Sequence, residues 1–332
     1  MTKAFVFGKF LPFHTGHEAM INFALTKCDY LTVLICCSDK ENIPANTRKY
    51  WIEKTFQLHQ NMEVKIYNYF ESELPNTSKS SQEVSKIWAE VFTNIFPDYT
   101  RLITSEEYGY FVATFMHIEH LAFDIPKRKF PVSATAVRNN LFANWKFLPA
   151  IVKPYFAIKV VIVGTESTGK TTLAEKLASH FQGSIVSETA RDIIQNSNAF
   201  TLDSLYVVAQ EHAKKIEKAV CGNSPLIIID TDIHITKSYA SFVFREELNV
   251  HIDIYNANKA NLYLYMNNSA MYIQDGTRLN ETDRNLLDLS HRKKLKDYGI
   301  NTIELNGTWD NRFQQACLHI TNYLNKILSQ KT

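Results

Sequence analysis

The chain has 332 residues, 45% of them hydrophobic and 21% charged, and a formal net charge of +2. That length accommodates two domains with cores of their own, and the composition is that of a soluble globular protein. The near-neutral balance gives no electrostatic reason to expect nucleic acid or a membrane surface as partner, and no apolar run approaches the ~20 residues that span a bilayer.

Taken in order, the first half offers strand candidates at 3–8, 30–37, 63–67, 100–104 and 119–123, and helix candidates at 16–27, 47–60, 81–95, 106–117 and 134–144. Short apolar runs alternating with segments of helical period predict a parallel sheet covered by helices. The chain enters its first strand almost at once, so no N-terminal signal pattern is expected. Cys28, Cys36, Cys37, Cys221 and Cys317 form no C-x-x-C pair, a usage that suits a reducing cytoplasm. Cys36 and Cys37 are expected to end a buried strand as small apolar residues.

The first strand runs into Gly8-Lys9-Phe10-Leu11-Pro12-Phe13-His14-Thr15-Gly16-His17. A glycine-containing turn followed by a helix start favours bound phosphate. His14 and His17 can donate to the α/β phosphates of a nucleotide, and Lys9 adds a cation. Thr15 and Glu18 have capping-box spacing, with Thr15 expected as N-cap. A second element, Ser133-Ala134-Thr135-Ala136-Val137-Arg138, offers Ser133 or Thr135 as a cap and Arg138 as a bidentate fork. Together the two elements predict nucleotidyl transfer by positioning and electrostatics, with no protein nucleophile. Trp51 and Trp88 fit either base stacking or core packing, and Arg48 fits a surface ion pair.

The polar stretch 70–81 reads as a loop, and 145–157, with two prolines and several aromatics, as a packed joint between domains. The expected division is 1–146, a linker at 147–157, and 158–332.

The second half restarts with a strand at 158–163 and a helix from 170, joined by Gly164-Thr165-Glu166-Ser167-Thr168-Gly169-Lys170-Thr171 with Thr172 beyond it. In such a P-loop the N–H groups cradle the β-phosphate, Lys170 reaches the β/γ oxygens and Thr171 meets Mg²⁺. Further strands are expected at 184–187, 225–230, 261–266 and 301–305, with helices near 203–219, 232–243, 282–297 and 311–328. A small kinase needs a carboxylate to orient the accepting hydroxyl and take its proton. Glu188, Asp230 and Asp232, all at strand ends, are the candidates, with Asp230 also a metal ligand; the alternative for each is helix capping. Arg191 follows Glu188 by one turn. Asp275-Gly276-Thr277-Arg278, with Arg284, reads as a lid over the transferring phosphoryl group, or else as a surface turn. The basic run His291-Arg292-Lys293-Lys294-Leu295-Lys296 reads as a solvated helix face.

The two signatures resemble the nucleotidyltransferase superfamily and the P-loop kinases, in which the first set binds ATP while a substrate phosphate attacks the α-phosphorus. Thr104-Ser105-Glu106-Glu107, Asp124-Ile125-Pro126-Lys127-Arg128, Val152-Lys153-Pro154-Tyr155-Phe156 and Asn306-Gly307-Thr308-Trp309-Asp310-Asn311-Arg312-Phe313 narrow the resemblance. They are similar to the bifunctional NadR-type enzymes, and the likeness covers essentially the whole chain. It implies two doubly wound parallel-sheet α/β domains, a Rossmann-like nucleotidyltransferase followed by a P-loop kinase. It also implies nicotinamide riboside phosphorylated to nicotinamide mononucleotide (NMN), which is then adenylylated to NAD, with ATP and Mg²⁺. For Arg48 the resemblance implies an alternative to the ion pair, a place beside the nucleotide. Three readings compete: a riboside kinase with a weak or regulatory nucleotide-sensing N-terminal domain, a non-catalytic binding module or NAD-responsive regulator, and an adenylyltransferase for another phosphorylated cofactor precursor. Around Glu188 the family's aromatic-Glu-Tyr-x-Arg becomes Ser187-Glu188-Thr189-Ala190-Arg191. Enterobacterial members add a DNA-binding helix-turn-helix; this sequence opens within a strand, so direct repressor activity is not expected. The expected partners are small molecules and, at most, further copies of the chain.

Overall fold

Nearly unbroken apolar strands need cover on both faces, which parallel sheets flanked by helices provide. Both halves of the chain take that form. The computed structural model describes residues 1–76, 81–194, 200–268 and 281–329, and the chain separates into two compact units, Met1–Val152 and Lys153–Thr332.

The first unit runs β1 (Lys3–Gly8), α1 (Thr15–Leu25), β2 (Tyr30–Ser38), α2 (Ala45–Thr55), β3 (Met62–Tyr69), α3 (Gln82–Ile95), β4 (Arg101–Thr104), α4 (Tyr108–Met116), β5 (Glu119–Ala122), α5 (Ala134–Asn139) and α6 (Leu141–Asn144). Its strands are all parallel in the order β3-β2-β1-β4-β5. Phe5 and Phe7 of β1 pack with Trp88 and Phe92 of α3, and the Phe5 and Phe96 rings stack 4.4 Å apart. The helix expected at 134–144 is two helices. Asn140 leaves helical geometry at φ −146°, and its side chain accepts from the Ala143 N–H to start α6.

The second unit runs α7 (Lys153–Phe156), β6 (Ile158–Val163), α8 (Lys170–Phe181), β7 (Ser184–Val186), α9 (Ala190–Ile193), α10 (Leu202–Val220), β8 (Leu226–Asp230), α11 (Ile233–Tyr239), α12 (Ile252–Asn258), β9 (Leu262–Met266), α13 (Glu281–Asp297), β10 (Thr302–Leu305) and α14 (Trp309–Ser329). The sheet order is β10-β9-β6-β8-β7, again parallel. Alternate residues of β6 feed two cores: Val160 and Ile162 pack with Leu173 and Leu177 of α8, and Val161 and Val163 with Ile216 of α10 and Leu295 of α13. This explains a correction to the basic run in α13. His291 and Lys294 share the face of Leu287 and Leu295 and are buried; only Lys293 and Lys296 are exposed. Among the described residues no helix is long and apolar enough to cross a membrane.

In both sheets the later strands are added first on one side of the first strand and then on the other, so the winding reverses beside it. Ligands of open α/β sheets bind at the carboxyl ends of strands at such switch points. Gly8 ends β1 and the P-loop follows β6, so the topology brings both motifs to those places.

Candidate active sites

The first unit holds a cavity of about 350 Å³ beyond the ends of β1 and β4. Gly8, Lys9, Phe10, His14, His17, Ser133, Thr135 and Arg138 all line it, so the two separated sequence elements converge on one space. Thr15 is not the N-cap of α1. His14 holds that position with extended backbone, and its Nδ1 accepts from the His17 N–H at 3.4 Å. An accepting Nδ1 leaves the proton on Nε2, which makes His14 a donor in its neutral form. The two imidazoles stack 3.7 Å apart. Burial, reinforced by the Lys127 charge, pushes His14 down to about 3. Burial, then His14 and Lys127, drives His17 well below its ordinary value. Both rings are therefore neutral at physiological pH and can donate to anionic oxygen without carrying charge themselves.

Of the two possible caps Ser133 is the one used: its Oγ accepts from the Ala136 N–H at 3.1 Å. Thr135 Oγ1 instead accepts from Arg138 Nη2 at 3.2 Å, while Arg138 Nη1 donates to the Leu11 carbonyl. Arg138 thus ties the second element to the first. Lys127, absent from the site residues read from sequence, also lines the cavity and pairs with Glu106 at 2.9 Å. Its loop is held by the Asp124 carboxylate, which accepts the N–H groups of Arg128, Lys129 and Phe130. The only advance signal was the 124–128 motif itself.

Arg48 is fully buried and sits outside the cavity lining, so it is not a surface ion pair. It pairs with Glu41 at 2.8 Å and donates to the Lys9 carbonyl at 2.7 Å. Glu41 also meets the Lys9 ammonium at 2.9 Å, so Lys9 is anchored. Trp88 lies in the core and donates from Nε1 to the Pro75 carbonyl at 2.9 Å. Trp51 is likewise buried, and neither tryptophan lines the cavity.

In the second unit the loop from Gly164 to Thr171 wraps the start of α8. Gly169 has φ +87°, and a Cβ there would stand 2.8 Å from Trp309. Gly164 has φ +143°, with the Met266 carbonyl 2.7 Å from where a Cβ would be. Both positions therefore require glycine. Lys170 Nζ donates to the Thr165 carbonyl at 2.9 Å, which uses one of its three protons, and Thr168 Oγ1 donates to the same carbonyl at 2.8 Å. Glu166 accepts from the buried Tyr239 hydroxyl at 2.9 Å. Ser167 has φ +62°, and Thr172 is exposed on the first turn of α8.

The three candidate carboxylates differ in what already holds them. Asp230 is fully buried, accepts from Thr171 Oγ1 at 2.6 Å and from Thr231 Oγ1 at 3.3 Å, and is shifted upward by burial. Asp232 caps α11: Oδ1 accepts the His234 and Ile235 N–H groups, and Oδ2 meets His234 Nδ1 at 2.5 Å. Capping, the alternative noted for these residues, is what Asp232 does. Glu188 has a side chain 21% exposed and pairs with Arg191 at 2.9 Å. Arg284 is buried and donates to the Asn268 carbonyl at 2.6 Å. Asp275 through Arg278 lie outside the described residues.

The Thr171 hydroxyl and Asp230 carboxylate form an oxygen pair of the kind that suits Mg²⁺, which takes one or two carboxylates and completes its shell with phosphate and water. Among the described residues no group of three or more His, Cys, Asp or Glu side chains could hold a metal ion.

Comparison with known proteins follows the same division. Residues 159–312 match the AAA domain model, and residues 4–108 match the citrate lyase ligase C-terminal domain model. The chain is 30% identical over 306 residues to the trifunctional NAD biosynthesis/regulator protein NadR of Escherichia coli K12, covering 83% of this chain and 72% of that protein. It is 28% identical to the NadR of Salmonella typhimurium LT2, over 93% of this chain and 80% of that protein. A crystal structure of NadR protein in complex with NR shares the fold at a TM-score of 0.66 and 20% identity, covering 97% of this chain and 96% of the other. One in complex with NAD and AMP-PNP does so at 0.64 and 19% identity, with the same coverage. The two parallel α/β units, the motif in each and the extent of the sequence match make this chain a member of the NadR family.

Proposed function

We propose that the chain is a bifunctional enzyme of NAD salvage. Its second unit phosphorylates nicotinamide riboside with ATP, giving NMN and ADP, and its first joins NMN to ATP, giving NAD and pyrophosphate. The observation that carries this reading is one chain with two chemically different phosphate-facing sites, the His14/His17/Arg138 cavity and the Lys170 loop beside Asp230. A nucleotide-sensing role for the first unit needs binding alone. Two neutral histidine donors and a tethered arginine, aimed at one space, better suit charge that builds as pyrophosphate leaves.

In the adenylyl step the NMN phosphate attacks the α-phosphorus while His14, His17 and Arg138 hold the triphosphate. Gly8, Phe10, Ser133 and Thr135 shape its cradle. In the kinase step Lys170 and the N–H groups from Gly164 to Thr172 hold ATP. Glu188 takes the proton of the riboside hydroxyl, because Asp230 and Asp232 are buried with their oxygens engaged while Glu188 reaches solvent. Arg191 orients Glu188, and Arg278 and Arg284 are assigned to ATP binding. Thr171 and Asp230 would hold Mg²⁺, which when bound neutralises phosphate charge. Arg48 supports the adenylyl site from behind by fixing the Lys9 carbonyl. We assign the division at 147–157 to the joint between the two activities, and a sequence with no C-x-x-C pair suits a reducing cytoplasm.

The test is a product-resolved assay. Riboside, ATP and Mg²⁺ give NMN and then NAD, and NMN with ATP gives NAD and pyrophosphate. An absence of any nicotinamide nucleotide product contradicts the assignment. Turnover of another phosphorylated precursor in preference to NMN supports the competing adenylyltransferase reading.

A further inference from the structure

His212 in α10 has no place in the chemistry above, yet it is buried between the two strand ends that carry the kinase carboxylates. Its Nε2 lies 3.1 Å from the Thr231 carbonyl and its Nδ1 lies 3.0 Å from Thr189 Oγ1. A carbonyl cannot donate, so Nε2 carries the proton and Nδ1 accepts from the Thr189 hydroxyl. Thr189 follows Glu188, and Thr231 follows Asp230. One ring therefore spans the residues next to both carboxylates.

The Thr231 backbone makes this bridge more than packing. Thr231 has φ +73°, a left-handed conformation that a β-branched residue adopts only when its surroundings impose it. Its N–H is held by the Ile162 carbonyl at 2.9 Å, and its own carbonyl by His212. The turn redirects the chain between Asp230, which faces Thr171, and Asp232, which caps α11. Without the His212 donor, the Thr231 carbonyl is left without its buried partner and the turn loses one of its two backbone anchors.

We propose that His212 is a positioning residue for riboside phosphorylation, fixing Glu188 and Asp230 relative to each other through Thr189 and Thr231. This rests on the kinase assignment above. Misplacing reacting groups by about 1 Å costs about 100-fold in rate, and that sets the expected size.

The test compares wild type, His212→Leu and His212→Gln as full-length chains, with NAD formation from NMN as the internal control for the other unit. His212→Leu is expected to lower kcat for riboside phosphorylation by about 100-fold with KM for ATP within about twofold. His212→Gln, whose amide can still donate to the Thr231 carbonyl, is expected to recover at least about tenfold of that loss. NAD formation from NMN stays at the wild-type rate in both. Retention of wild-type kcat by His212→Leu overturns the proposal. So does a His212→Gln chain that matches wild type in thermal stability but shows no kinase recovery over His212→Leu. If His212→Leu does not fold, His212→Gln decides alone: kcat within about tenfold of wild type supports the bridge, and a larger loss in the folded chain overturns it. If wild type itself makes no NMN from riboside, the kinase assignment fails instead.

Discussion

The cavity of the first unit is faced by two imidazoles kept neutral by burial and by an arginine already bonded to backbone, whereas the second unit offers a lysine ammonium and a hydroxyl–carboxylate pair. Neutral donors attract a resting triphosphate only modestly and gain strength as charge develops on it. An ammonium binds the charged phosphates throughout. The two imidazoles therefore favour the transition state, whereas Lys170, like the cations Lys127 and Arg138 that also line the first cavity, supports ground state and transition state together. The same ligand class is thus met by two different distributions of binding energy, which mutation can separate.

The largest effect is expected from Lys170→Ala. Riboside phosphorylation should fall by about 1000-fold, with KM for ATP raised, while NAD formation from NMN is unchanged. Steady-state kinetics on both half-reactions reads this directly. Next, His17→Ala should lower kcat of adenylyl transfer by about 100-fold to 1000-fold, with KM for ATP within about threefold and the kinase untouched. An ATP KM that rises as steeply as kcat falls would show that the histidines bind ground state as well, and the contrast would be lost.

Arg48→Ala acts through stability instead. It leaves Glu41 buried with Lys9 as its remaining cation, and loss of one partner from a buried ion pair costs about 3–5 kcal/mol. Chemical denaturation followed by the tryptophans should show a lower midpoint for the first unit and little change in the second. Replacing Lys49, a partly exposed neighbour paired with Glu53, should change stability by less than about 1 kcal/mol.

The smallest effect is in pH dependence. His14 and His17 have folded values below those of the unfolded chain, His14 falling to about 3. Above the ordinary histidine range neither state is protonated and the pair contributes nothing to the pH slope. Below it the unfolded chain takes up protons that the folded chain refuses, so stability falls as pH drops toward 3. The urea midpoint of the first unit should decline between pH 7 and pH 5, with a shallower slope in His14→Gln, where one of the two groups is gone.

The sequence made the sheets legible because their strands are apolar on both faces, and it made the P-loop legible because its glycines, lysine and threonine act within one short segment. What it hid depends on contacts between distant segments. Glu41 reads as an ordinary polar loop residue until folding brings Lys9 and Arg48 to it. Lys127 belongs to a loop whose shape comes from Asp124 accepting three backbone N–H groups. Thr15 has better capping chemistry than His14, but the turn through Phe10 and Pro12 delivers His14 to the cap position. His291 and Lys294 looked solvated because charge dominates their segment, yet their helix face is set by Leu287 and Leu295. Asp232 and Asp230 are alike in sequence, and only backbone direction at Thr231 decides which caps a helix and which faces Thr171.

The central claim, that each unit acts on its own triphosphate, is tested most directly by mixing Lys170→Ala with His17→Ala and supplying riboside, ATP and Mg²⁺. Each variant alone should fail to make NAD, the first for lack of NMN and the second with NMN accumulating, and the mixture should make it. A mixture that stays silent, or a single substitution that abolishes both half-reactions, would contradict two independent sites.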